Sequence, residues 1–260
     1  MRATRFVNSP IRALILVAGL SLAATTWAPA AQALVLDWTA LDPAWDDTDT
    51  SGSQTFLGVD GSGVDVTISY TDNMFDNDSV PNIYDGATAP TPEIEGTLRF
   101  TNDRTPVLLP TTVTITFSED VYIDDLSTLS LSTINGLQEV MVLEAFDVTG
   151  APVLATTYGT NTPGLVALDM DGDASYLSRG LEPQRSGAFG DTFYTFTDAA
   201  IRELQFSIYT TDFGGDELRR GWSSQSISNV TFQVVPEPST ALLMGLGLAA
   251  LGARRIRRRR

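Results

Sequence analysis

Thr112-Val-Thr-Ile-Thr-Phe117 carries the cleanest alternation in the chain: Val113, Ile115 and Phe117 share one parity, Thr112, Thr114 and Thr116 the other. A period of two sends successive side chains to opposite faces of a strand, so this segment has one buried side and one solvent-facing side. The same reading gives strands at Gln54–Val59 and Val64–Tyr70, joined as a hairpin at Asp60-Gly61-Ser62-Gly63. Ile94–Thr101, Phe193–Phe196, Leu204–Ile208 and Val230–Val234 are further strands, and Leu34–Trp38 is a short strand-like start. Leu126–Leu131 alternates less strictly, and Ser118-Glu119-Asp120 breaks the chain between it and Phe117. Gln138–Val148 is apolar on both parities, the pattern of a central strand covered on both faces. Asp147-Val-Thr-Gly150 then turns the chain into Val153–Tyr158. Ala199–Leu204 is expected to form one helical turn, and Thr71–Pro92 is a long polar excursion.

Roughly ten short strands separated by turn residues, with no internal repeat, predict an all-β fold. The expected architecture is an antiparallel two-sheet sandwich, jelly-roll-like, rather than a propeller or solenoid.

Two terminal stretches do not follow the strand period. At the front, Arg2, Arg5 and Arg12 precede the apolar run Ala13–Ala24 and a small-residue stretch ending Ala31-Gln32-Ala33. That order is a secretory signal peptide, with cleavage after Ala33. At the back, Pro236-Glu237-Pro238 is followed by the uncharged apolar segment Ala241–Ala253 and then by Arg254, Arg255, Arg257, Arg258 and two further arginines. The prolines keep the backbone extended and open to a processing enzyme. As a helix the apolar segment spans ~20 Å, short of a ~30 Å hydrocarbon core. Extending it from Pro238 to Ile256, with snorkelling arginines, brings it to ~28 Å. The arginines then hold its end on the cytoplasmic side of the inner membrane. The expected organisation is therefore residues 1–33 as signal peptide, 34–235 as β-sandwich ectodomain and 236–260 as a tail with a membrane helix.

The tail resembles the PEP-CTERM sorting signal, carried by exported proteins of Gram-negative bacteria that make extracellular polysaccharide. The resemblance implies a transient inner-membrane intermediate, cleavage near Pro236-Glu237-Pro238 by an exosortase, and delivery to the cell surface or extracellular matrix. The stretch from Thr111 to Gly150 is loosely similar to sandwich domains attached to this signal, which agrees with the fold class.

Composition narrows the chemistry. There is no cysteine, so the exported domain rests on packing rather than disulfides. Of the 32 acidic residues all but Glu237 lie in the ectodomain, against seven of the arginines, leaving it near −24. Such a charge disfavours nucleic acid and anionic lipid as partners. Histidine and lysine are also absent, which removes Ser-His-Asp, Cys-His and Ser-Lys arrangements and Schiff-base chemistry. Metal sites are limited to oxygen ligands and hard cations.

Within those limits, Asp169, Asp171 and Asp173 alternate around Gly172 and form a candidate Ca2+ loop, set against an acidic surface turn. It is no EF-hand, since Ala174 and Gly180 stand where that loop needs glycine and glutamate. Trp45 and Trp222 lie in polar surroundings and are candidate glycan contacts, whereas Trp38 reads as core. Glu119, Glu139 and Glu144 sit on or beside strands, but no spacing singles out a catalytic pair. The expectation is a non-enzymatic binding or structural protein associated with exopolysaccharide or biofilm, with no cofactor beyond possible calcium. A carboxylate-based polysaccharide hydrolase or lyase is one alternative. A calcium-cross-linked adhesin or coat protein is the other.

Overall fold

The computed structural model describes residues 33–41, 51–71, 82–83, 96–102, 110–131, 133–134, 137–170, 174–181, 190–212, 218–219 and 223–235. These residues fall in one compact unit, Gln32–Val235. They form fifteen strands and one four-residue helix. The strands are β1 (Leu34–Leu36), β2 (Ser51–Phe56), β3 (Val66–Thr71), β4 (Asn82–Ile83), β5 (Leu98–Asn102), β6 (Thr111–Leu131), β7 (Thr133–Ile134) and β8 (Leu137–Phe146). They continue with β9 (Thr157–Gly159), β10 (Val166–Met170), β11 (Tyr176–Gly180), β12 (Gly190–Asp212), β13 (Leu218–Arg219), β14 (Ser223–Ile227) and β15 (Val230–Val234).

Among the described residues every strand pairing is antiparallel, and two long strands build both layers. The first half of β6 and the second half of β12 lie in one sheet, ordered β2-β3-β6-β12-β8-β11-β10. The second half of β6 and the first half of β12 lie in the other, with β9 beside β12 and with β14 and β15 beside β6. Behind these, β5 pairs β14 and β1 pairs β15. The sandwich expected from the alternation is what forms.

Both crossings are irregular, and the irregularity explains the weaker pattern there. On β12, Thr197, Asp198 and Ala199 are exposed, and the register with β6 jumps between Phe196/Ile123 and Ile201/Val121. Bulges of this kind re-aim a strand and increase its twist. Ala199–Leu204 is thus not a helical turn: Ile201 is buried and Leu204 pairs with both Ile115 and Ala145. On β6, Ser118-Glu119-Asp120 is a corner rather than a strand end. Arg202 fills it, its guanidinium holding Asp120 at 3.0 Å and donating to the carbonyls of Phe117 and Ser118. A second bulge, at Asp124–Asp125 opposite Thr231/Phe232, moves the inward parity of β6 from Ile123 to Leu126.

The core lies between the sheets. Phe117 meets Phe232 with ring centroids 5.4 Å apart, Phe100 meets Phe206 edge-on at 6.4 Å, and Tyr176 meets Tyr194 at 5.5 Å. All six rings are essentially without exposed surface, and burial of each stabilises the fold by about 1.5–3 kcal/mol. Trp38 is also core, its Nε1–H donating to the Ser228 carbonyl at 2.7 Å. The expected strand stops at Leu36, because the Asp37 carboxylate accepts from Thr39 and Ala40 and caps the helical turn Trp38–Leu41.

The Asp60-Gly61 hairpin joins β2 to β3 as expected. Its loop winds through a short 3-10 turn, with Gly58, Asp60, Gly61 and Gly63 all at positive φ. The Asp147–Gly150 turn also forms, but the return is a single bridge at Pro152. The chain then leaves β8, and β9 pairs with β12 instead.

Candidate functional site

The outward face of the first sheet assembles a surface that no single segment of sequence displays. Directly opposed residues in an antiparallel pair project to the same face, so the registers define rows across the strands. One row runs Thr55, Thr67, Thr116, Glu203, Phe146. The next runs Ser53, Ser69, Thr114, Gln205, Glu144. The third takes the register positions Ser51, Thr71, Thr112, Ser207 and Val142.

On β2, β3 and β6 all nine positions are Ser or Thr. Some of their hydroxyls bond along the rows: Thr55 to Thr67 at 2.9 Å, Thr112 to Ser207 at 3.2 Å and Thr116 to Glu203 at 3.4 Å. The apolar partners of these strands, Val66, Ile68, Val113, Ile115 and Phe117, are buried on the other side. The register is locked by that contrast, since a one-residue slip would bury the hydroxyls and expose the core.

At the β8–β12 end of the first row the surface dips into a groove of about 420 Å3, lined by Phe146, Asp147, Val148, Gly150, Arg202, Glu203 and Gln205. The turn forms its lip. Asp147 accepts from the Thr149 hydroxyl at 2.6 Å and from the amides of Thr149 and Ala151. Those bonds, the Thr149 hydroxyl first, hold its carboxyl below the usual value. Val148 stands 62% exposed beside it. Chemically the groove offers an aromatic ring, an amide and two carboxylates, while Arg202 is engaged with the β6 corner.

Few of the residues singled out in the sequence come to this face. Asp169 lies on β10, exposed and paired opposite Leu177, while Asp171 and Asp173 are outside the described residues. Among the described residues no three acidic side chains converge as a metal site. Trp45, Trp222, Pro236, Glu237, Pro238, Arg254, Arg255, Arg257 and Arg258 are outside the described residues as well. Glu119 is exposed at the β6 corner, Glu139 is buried on the inward face, and Glu144 alone of the three reaches the outward rows. Phe146, Arg202, Glu203 and Gln205 were not foreseen as a site. Alternation along Leu204–Ile208 does place Gln205 outward, but only the β8–β12 register brings it beside Glu144.

The tail is decided by comparison rather than by geometry. Residues 234–259 match the PEP-CTERM protein-sorting motif. The motif marks the chain for export through a membrane-anchored intermediate, processing by an exosortase and surface localisation. Among the described residues no helix is long and apolar enough to cross a membrane, and the apolar segment of the PEP-CTERM motif lies outside them. No curated protein matches the chain by sequence. Among solved structures, a DUF4465 family protein from Bacteroides caccae ATCC 43185 is similar at 9% identity and a TM-score of 0.36, over 81% of this chain and 96% of that one.

Proposed function

We propose that the sorted domain is a non-enzymatic module that binds extracellular polysaccharide at the surface or in the matrix of a Gram-negative producer. The observation that carries this reading is the groove. Phe146 supplies an apolar ring face, and Gln205, Glu203 and Asp147 supply the amide and carboxylates that accept and donate hydrogen bonds to hydroxyls. The sequence-level absence of histidine, cysteine and lysine supports binding over nucleophilic chemistry. Calcium enters this proposal only through Asp169, Asp171 and Asp173, as a cross-link or a loop brace.

A hydrolase reading has one specific observation in its favour. Glu203 and Glu144 are diagonal neighbours on the outward face, with side chains rooted about 7–8 Å apart, a spacing from which two carboxyl groups can adopt the separation an inverting glycosidase uses. The deciding experiment incubates the processed protein with extracellular polysaccharide from a producing bacterium, with calcium and with a chelator, and reads both retention and polymer length. Retention at unchanged length is the expected result. Shortened polymer, lost in Glu203→Gln or Glu144→Gln, would replace binding with hydrolysis. Retention that disappears with the chelator would move the site to the Asp169 loop.

A further inference from the structure

We infer that the ligand of this domain is an uncharged, extended polysaccharide chain that leaves the groove and crosses β12, β6, β3 and β2 at right angles to the strands. The inference rests on the binding reading above and adds the path and the charge class of the glycan.

Charge comes first. The ectodomain is near −24, yet the nine register positions on β2, β3 and β6 carry no ionisable group. A polyanion approaching this domain is repelled by the surrounding carboxylates. The groove does not compensate, because the Arg202 guanidinium is already held by Asp120 and two backbone carbonyls. Among the described residues that line the groove, a uronate or sulfate would therefore enter beside Asp147 and Glu203 with no uncommitted cation to receive it. A neutral glycan meets no such cost.

Geometry gives the path. Each Ser or Thr hydroxyl donates once and accepts twice, the same capacity a sugar hydroxyl has. The rows present these groups about every 4.8 Å across the strands and about every 6.8 Å along them. At the groove the first row ends on Phe146, with the exposed Val148 beside it, and from there it runs across β12, β6, β3 and β2 as a polar strip. Five strands give the strip a length of about 19 Å. That exceeds one sugar ring, so the site is built for a chain rather than for a terminal residue.

The test is affinity electrophoresis of the processed protein, recovered from an exosortase-bearing host, through gels containing hydroxyethylcellulose, mixed-linkage β-glucan or alginate. The wild type should be retarded by a neutral polymer and not by alginate. Thr67→Glu/Ser69→Glu, two outward changes on β3 away from the groove, should weaken retardation about tenfold. Thr114→Val, which keeps shape and removes one hydroxyl, should weaken it in the same direction without altering the thermal transition. If Gln205→Ala abolishes binding while the β3 pair and Thr114→Val leave it unchanged, the groove stands and the path across the strands is overturned. Retardation by alginate in preference to the neutral polymers would overturn the charge class. Absence of retardation by every polymer, with the fold intact, would sink this inference and the binding reading together.

Discussion

The two sheets are tied at their centre by a buried hydroxyl chain, and its energy can be measured. Ser178 on β11 and Tyr194 on β12 share a 2.9 Å hydrogen bond between layers, with 0% and 1% of their surfaces exposed. Tyr194 also bonds Thr192, whose hydroxyl meets that of Thr128. Burial raises the Tyr194 pKa, so the phenol stays protonated and available as donor well into alkaline pH. Tyr194→Phe leaves the Ser178 hydroxyl unsatisfied in the core and should cost about 1–3 kcal/mol. Ser178→Ala leaves Tyr194 its Thr192 partner and should cost about 1 kcal/mol. Replacing both removes donor and acceptor together, so the double variant should be about 1–2 kcal/mol more stable than the sum of the singles implies. Urea titrations of the three variants, followed by circular dichroism and tryptophan fluorescence, give these values if the slopes stay equal. For a domain of this size each kcal/mol also moves Tm by about 2–4 °C. Additivity of the two singles to within about 0.3 kcal/mol would refute the coupling and with it the claim that this bond holds the layers in register.

Other consequences are simpler to test. Thr211 and Gln138 are opposed on β12 and β8 and are both buried, and among the described residues neither Thr211 Oγ1 nor Gln138 Oε1 has a hydrogen-bond partner. Thr211→Val, nearly isosteric, should therefore leave stability unchanged or raise it by about 1 kcal/mol, whereas a loss of more than about 1 kcal/mol in thermal or urea unfolding would show that the hydroxyl is satisfied in solution. Asp37 and Asp147 are held below the ordinary carboxylate value by hydroxyl and amide donors, chiefly Thr39 and Thr149. Depressed folded-state pKa values stabilise the fold above the unfolded value near 3.8, and that contribution fades as pH falls through the folded values. The Tm difference between wild type and Asp37→Asn/Asp147→Asn should thus be largest near neutrality and shrink below about pH 4. A difference independent of pH would contradict the sign.

Local patterning was sufficient for much of this protein. Alternation at Thr112–Phe117 identified a strand with one buried face because side-chain direction along a strand depends only on parity. The Asp60-Gly61 and Asp147–Gly150 turns were legible because positive φ and side-chain capping are properties of a few adjacent residues. The tail was legible for the same reason, being a contiguous motif. Other strands escaped notice. Ser223–Ser226 reads as polar throughout, yet Gln225 and Ser226 are buried because β5 and β6 flank them. Val166–Met170 and Tyr176–Gly180 were not read as strands from the sequence, and are strands because each completes the other's ladder beyond β8.

Thus the chain's own order of residues determined its C-terminal sorting signal, its β class and the presence of a threonine face. Only the tertiary structure decided what that face adjoins. Glu203, Gln205 and Phe146 lie dozens of residues or more from Thr116, Thr67 and Thr55 in sequence, and cross-strand registers bring them into shared rows. Those registers follow from burying Ile68, Ile115, Phe206 and Leu143 together, a cooperative condition on four strands that none of them expresses alone. The same holds for the corners at Ser118–Asp120 and Thr197–Ala200. Their meaning depends on where the two long strands must bend to close both sheets over one core.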